Sequence, residues 1–421
     1  MKKRKIFKTL AFSSLALVMA AGGIFAFAPI GASASTPPPT TTTGLGLDPK
    51  NDPVVYTTES GLEIKMSNAD KFSGTVTTTT NTGSKFTQDL SSFYYFTMGT
   101  FSGTIYTGEG GSTTANYKVT NEPVNWIILG VGSHSNAFVE SVSNYLFSTI
   151  KNNDYLFSNG EYYFDNQHET FSPAGQLIDN TISAKTYIMG KVKDSIKVHT
   201  DIPKGCMLVL SEKLLGQCYF NGSGAFNSTL LQRNTCHIMY TGGTIYGNRY
   251  RYIGNTSTYT DGAQNWTTSG NAGGSLYNYI NNLFSKNTSG TILSNSLGFT
   301  TTQSNLIVPQ QLYTFYSNGD DYPFQETPST DGGTYYTMFP LAYRGAHTAT
   351  YQNFCIEDYL TTNAKRIATF IGSNQTYWWW SRSGILTTPG TANACVPEAV
   401  AYNIDVSFGL GVRPAMVMKL Q

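Results

Sequence analysis

Three groupings of reactive side chains along the 421-residue chain would each do different chemistry. Glu161, Asp165, His168 and Glu169, within EYYFDNQHE, fall at near-helical spacing and would offer oxygen and imidazole ligands to a divalent metal. One histidine among carboxylates is poor zinc spacing, so a solvated loop is the stronger reading. Asp320, Asp321 and Glu326 in NGDDYPFQE suit acid–base hydrolysis, or calcium through oxygen ligands, although Asn-Gly-Asp-Asp is also ordinary turn chemistry. In RGAHTATYQNFC, Arg344, His347 and Cys355 would bring a thiol nucleophile near a base. No third group that would orient the histidine is evident, and a packing cysteine with a surface histidine explains the same residues.

A different kind of chemistry, stacking, is offered by YWWWSRSG, Tyr377 to Gly384, which holds three of the five tryptophans. In a strand, Trp378, Trp380 and Arg382 share one face while Trp379, Ser381 and Ser383 share the other. Each indole carries on the order of 200 Å² of mainly apolar surface, so one face must be core. The other is free to stack on a ligand, with Arg382 over an indole as a cation–π partner. The closing GVRPAMVMKL alternates too, with Val412, Pro414, Met416 and Met418 on one side and Arg413, Ala415, Val417 and Lys419 on the other. Arg413 therefore sits among apolar neighbours and needs a partner, which makes it a structural arginine joining strands.

The elements that must position these residues are set by the rest of the chain. Residues 1–34 read as a signal peptide: Lys2, Lys3, Arg4, Lys5 and Lys8 precede an apolar run from Leu10 to Phe27 and an A-x-A exit at Ala32-Ser33-Ala34. Removing it takes five of the 27 Lys/Arg and none of the 26 Asp/Glu, so the mature balance is −4. No basic run follows Lys8, which argues against a nucleic-acid partner, and no second apolar span follows the signal. The sequence therefore predicts a secreted or cell-surface protein. Residues 35–51, including STPPPTTTTG, form a Pro/Thr linker with too little apolar surface to fold. Residues 52–92 are a strand-rich leader, and 93–421 a single domain. Five cysteines without a C-x-x-C pair exclude a disulfide mini-scaffold; Cys218 with Cys236 and Cys355 with Cys395 are candidate bridges, and Cys206 stands apart.

Composition favours short strands with elaborate loops: 28 Tyr, 24 Phe and 41 Gly, with only 13% charged residues. VVYTTESGLEIKM, SSFYYFTMGTFSGTIY, VNWIILGVG and CMLVLSEKLL read as strands, the last turning helical at Ser211 as an N-cap. SLYNYINNLFSKNTSGTILSN, Ser275 to Asn295, spaces Leu276, Tyr279, Ile280, Leu283 and Phe284 as an amphipathic helix. Asn353 to Ile371 is a second, less periodic helix. YWWWSRS, ANACVPEAVAYNIDVSFG and GVRPAMVMKL return to strands.

The succession NWIILGV, MLVLSEKLL, SLYNYINNLFS, MFPLAYRGA with EDYL, WWWSRSG and GVRPAMVMKL resembles a family of secreted and surface proteins of Gram-positive bacteria without assigned activity, whose members read WWLRSPG and GVRPALWIKL. The likeness runs from about Phe93 to Gln421, with a long insertion around Ser133 to Pro203. Ser381 and Gly384 depart from it, where the family often has Leu and Pro. That family is similar in turn to the C-type-lectin-like fold of formylglycine-generating enzymes. The resemblance implies an α+β chain with a mixed sheet, N- and C-terminal strands paired, and a ligand face in the loops between Gly384 and Phe408. By position the WW.RS motif falls on Trp379, Trp380, Arg382 and Ser383, and GVRPA on Gly411 to Ala415; the candidate ligand-binding residues are Trp378, Trp379, Arg382, Asn393, Glu398, Asn403 and Asp405, with Trp380 and Arg413 structural. Formylglycine chemistry needs a close cysteine pair, and Cys355 and Cys395 lie far apart. No cofactor is expected, with calcium as the one alternative. The nearest match to a calcium-lectin loop, Glu122-Pro123-Val124, lacks the amide. The expected protein is a binding protein for an extracellular glycan or surface protein; the alternatives are an extracellular hydrolase or metal-dependent oxidase, or a surface-layer component.

Overall fold

The computed structural model describes residues 52–66, 77–79, 85–90, 93–107, 115–153, 162–173, 180–219, 276–287, 289–312, 314–316, 335–343, 349–384, 391–396, 402–405 and 409–420. Its main sheet is antiparallel and follows from the long apolar runs. Strands β1 (Val54–Thr57) and β2 (Glu63–Met66) form a hairpin, and a second small hairpin, β3 (Thr77–Thr79) with β4 (Lys85–Thr87), follows. β5 (Tyr94–Thr107) and β6 (Ala115–Val131) are the longest pair, bending at register shifts between Thr97 and Thr100 and between Phe101 and Gly103.

The segment after β6 folds as a helix pair with a small sheet. It comprises α1 (Asn136–Asn153), β7 (Tyr162–Asp165), β8 (Thr170–Pro173), β9 (Ile182–Ser183) and α2 (Ala184–Ser195). Aromatic edges hold it together: Phe171 lies 5.0 Å from Tyr187 and 5.1 Å from Phe164, centroid to centroid. Phe138 of α1 packs edge-on against Tyr56 and Tyr94 at 5.5 and 5.6 Å, which fastens the unit to the main sheet.

β10 (Cys206–Ser211) then returns to the main sheet, and β11 (Gln217–Tyr219) passes into a second one. The elements that follow are α3 (Leu276–Leu283), β12 (Phe284–Lys286), β13 (Ile292–Asn295), α4 (Thr301–Leu306), β14 (Thr314–Tyr316), β15 (Ala349–Gln352), α5 (Ile356–Tyr359) and α6 (Asn363–Arg366). The last strands are β16 (Trp379–Gly384), β17 (Thr391–Cys395), β18 (Tyr402–Asp405), β19 (Gly409–Gly411) and β20 (Ala415–Lys419). The main sheet runs β1-β2-β5-β6-β10-β20; the second runs β11-β19-β16-β17-β18. The chain is thus α+β and mostly sheet.

Four expectations are corrected. The N- and C-terminal strands do not pair: β20 lies against β10, with β6 between that pair and β5, and β1 at the far edge. Ser211 does not start a helix. It ends β10, where its N–H bonds to the Pro414 carbonyl, and the chain goes on to a bridge at Leu214. The helix predicted to Asn295 stops at Leu283, because buried Phe284 begins a hairpin closed by the Asn287–Gly290 turn. The helix over Asn353–Ile371 is two single turns, α5 and α6, separated by Leu360, Thr361 and Thr362.

The two sheets are joined by one continuous ribbon. β10 leads into β11 and β19 into β20, and the two paths pair antiparallel at both ends, while Leu214 between them bonds to Thr369 and Ile371. At the crossing Leu215 N–H donates to the Val412 carbonyl (2.8 Å) and Val412 N–H to the Gly216 carbonyl (2.9 Å). Gly216 sits at φ +118°, and a Cβ there would fall 1.7 Å from the Tyr279 hydroxyl, so only glycine fits.

Candidate functional site

The tryptophan strand β16 is built into the interior on both faces. Trp379, Trp380, Ser381 and Arg382 are each at most 1% exposed, while Trp378 is half-buried. Trp379 donates its indole N–H to the Arg366 carbonyl (3.0 Å), and Trp380 donates to the Cys218 carbonyl (3.0 Å). Both rings therefore bury apolar area with their polar atom satisfied. The hydroxyl of Ser381 donates to the Asn393 carbonyl at 2.9 Å, tying β16 to β17.

Arg382 has its backbone N–H on the Leu341 carbonyl (2.9 Å) and its Nη2 on both the carbonyl and the side-chain oxygen of Asn353 (2.7 and 2.8 Å). Asn353 is itself fixed, donating through Nδ2 to the Gln311 carbonyl at 2.9 Å. The next residue, Phe354, takes φ +54°, a strained conformation for a bulky side chain, and packs its buried ring 5.1 Å from Phe339. The packing holds the turn that presents Asn353 to the guanidinium.

Arg413 is the matching pin on the ribbon. Its Nε donates to the Ser211 carbonyl (3.0 Å) and Nη2 to the Glu212 carbonyl (3.2 Å), while Nη1 is buried without a partner among the described residues. Its guanidinium lies 5.3 Å from the centroid of Trp379. Arg413 is thus a cation–π partner of the tryptophan run. Burial pulls the Arg413 pKa down to about 10, so the group is still a cation at neutral pH. These contacts tie the segment before β20 to the end of β10 and to Trp379.

Among the ligand candidates, then, Trp379, Arg382 and Asn393 are interior, Asn393 being 7% exposed. Placing them at the surface neglected the cover from α6, from the Asn353 turn and from β17. Among the described tryptophans, Trp378 alone keeps partial access. Asn403 lies on β18 opposite Asn393, and Asp405 opposite Thr391, so both belong to the outermost strand of the second sheet. Glu398, and with it residues 385–390, 397–400 and 406–408, lies outside the described residues.

The other chemistries separate on inspection. Asp165 closes the β7–β8 turn, accepting from Gln167 N–H at 2.9 Å and contacting the His168 ring at 2.5 Å; His168 beside it holds its pKa below the usual carboxylate range. Glu169 pairs instead with Lys151, which lowers its pKa as well. Glu161 lies outside the described residues, as do Asp320, Asp321, Glu326, Arg344 and His347. No group of three or more His, Cys, Asp or Glu side chains among the described residues is arranged to hold a metal ion. Glu122 is in mid-strand beside the Asn121 bulge, where Asn121 N–H donates to Ser102 Oγ at 2.8 Å, and not in a loop.

Cys206, Cys218, Cys355 and Cys395 are all buried and outside any disulfide, so the Cys355–Cys395 bridge is not formed; Cys236 lies outside the described residues. Burial pushes the Cys395 thiol up to about 12 despite Arg366 and Arg413 nearby, and raises Cys218 strongly too. Neither is a thiolate nucleophile at neutral pH.

Sequence reasoning missed the acceptors that make β16 an interior strand: the carbonyls of Arg366, Cys218 and Asn353. Backbone acceptors carry no residue signature, and only the Asn-Phe pair at 353–354 offered a hint of a turn. No protein-family profile, no curated protein and no solved structure matches the chain. No helix among the described residues is long and apolar enough to cross a membrane.

Proposed function

We propose that this is an exported, secreted or cell-surface binding protein that takes an extracellular glycan or surface protein on the loops between Gly384 and Phe408. The observation that carries this reading is the double-sided burial of β16. The indoles and Arg382 anchor the strand to α6, the Asn353 turn and Cys218, and the hairpin emerges from that fixed base. A rigid strand carrying loops is how binding residues are commonly presented. The resemblance of WWWSRSG and GVRPA to the Gram-positive surface family, and through it to C-type-lectin-like folds, supports the same reading, as does the signal-like N-terminus.

The test is binding of the mature chain to glycan and bacterial surface-protein arrays, beside a variant whose residues 385–390 and 397–400 are replaced by Gly/Ser of equal length. Binding lost in that variant, with an unchanged thermal midpoint, is the expected result. Binding that survives replacement, or no binding on either array, overturns the assignment.

A further inference from the structure

The first sheet carries a polar cleft that the hairpin reading does not use. It holds about 220 Å³ and opens between the β1–β2 turn and α4. Its floor is the outward row of two strands. Glu63 and Lys65 are two apart on β2 and share a face, while Ile64 between them is fully buried. The register that sets Lys65 opposite Tyr95 brings Glu63 beside Thr97 of β5.

Both walls are preformed. In the turn, Thr58 Oγ1 accepts from Leu62 N–H (2.9 Å) and the Thr58 carbonyl accepts from Gly61 N–H (2.9 Å). On the other side α4 is closed at its start by the Thr300–Gln303 capping box, and Lys286 Nζ donates to the Ser304 and Ile307 carbonyls at its end. Walls that are already ordered lower the entropic cost of binding.

We propose that this cleft is a saccharide site for a single pyranose unit. Its volume lies below the ~300–1,000 Å³ of drug-sized pockets, which suits one ring rather than a peptide. Its groups both give and take hydrogen bonds. The Glu63 carboxylate accepts, suiting two neighbouring hydroxyls, and the Lys65 ammonium donates. Thr97 Oγ1 donates to Asn125 Oδ1 at 2.8 Å, which leaves its lone pairs to accept. Gln303 uses its side-chain oxygen on Thr300 N–H (3.0 Å), which leaves its NH₂ to donate. A simple anion would meet Glu63, a simple cation Lys65, and an apolar ligand would desolvate both. A polyol matches each group in turn, and Leu62 and Leu306, which also line the cleft, offer a small apolar surface to the C–H face of a ring.

The proposal stands apart from the loops between Gly384 and Phe408. It is tested by saturation-transfer NMR on the mature chain with glucose, galactose, mannose and N-acetylglucosamine, and with alanine as a zwitterionic probe. At least one sugar is expected to receive transfer. Its affinity is expected to fall tenfold or more in Glu63→Ala, and several-fold in Lys65→Ala, but not in Glu122→Ala or in the 385–390/397–400 replacement. Glu63 is exposed, so the variant keeps its fold, checked by its melting curve. Transfer to no sugar, to alanine alone, or equally in wild type and Glu63→Ala would overturn it.

Discussion

Strands β5 and β16 are both dense in aromatic residues, yet they differ in what their second face meets. In β5, Tyr95, Phe96 and Met98 are buried while Thr97 points outward to Asn125. In β16 there is no outward position from Trp379 to Arg382, because both faces are covered and each polar side chain has an internal acceptor. An aromatic run is therefore a poor guide to a binding face by itself. Access is decided by the segments packed over it, and in this chain the reachable polar row belongs to the strand pair with fewer tryptophans.

The contrast predicts a graded response to mutation. Arg413→Ala removes the guanidinium's hydrogen bonds to two carbonyls and is expected to cost about 3–5 kcal/mol, read as a lower urea midpoint. Asn353→Ala removes one acceptor of Arg382 and the bond to Gln311, for about 1–3 kcal/mol in the same assay.

The buried thiol on β17 gives a pH test. The Cys395 pKa is raised from 9.0 to about 12 on folding, so the unfolded chain ionises first. Its contribution is whole below pH 9 and is lost as pH climbs toward 12. Cys395→Ala should therefore lose less stability than wild type over that interval, in midpoints measured at successive pH values; parallel curves would show that the thiol titrates normally.

The smallest effect is expected at the exposed row. Thr97→Val should change stability by about 0.5 kcal/mol or less. A cost comparable to that of Arg413→Ala would show that the two strands are not differently supported after all.

The long apolar runs of β5, β6, β10 and β20 were legible, because a nearly unbroken hydrophobic stretch has few places to go. So was the burial of Arg413, a charge set between apolar neighbours. The accessible face of β16 was not. Its covers come from Arg366, Asn353 and Cys218, which are 13, 29 and 162 residues away. Strand order was equally hidden: alternation fixes which side chains share a face, and says nothing about which strand is the neighbour. The helix reading at Ser275–Asn295 failed where periodicity ran past the last real turn, since Phe284 is buried by a hairpin just as well as by a helix.

The ribbon joining the sheets also bears on when the molecule can become itself. β10 is flanked by β6, made before it, and by β20, made long after, so one edge of the main sheet waits for Ala415 to Lys419. The second sheet waits too, because β19 lies between β11 and β16. Pairings of such sequence separation are slow to form. A chain emerging from its N-terminus thus carries two half-built sheets until the GVRPA segment arrives and closes both in one step.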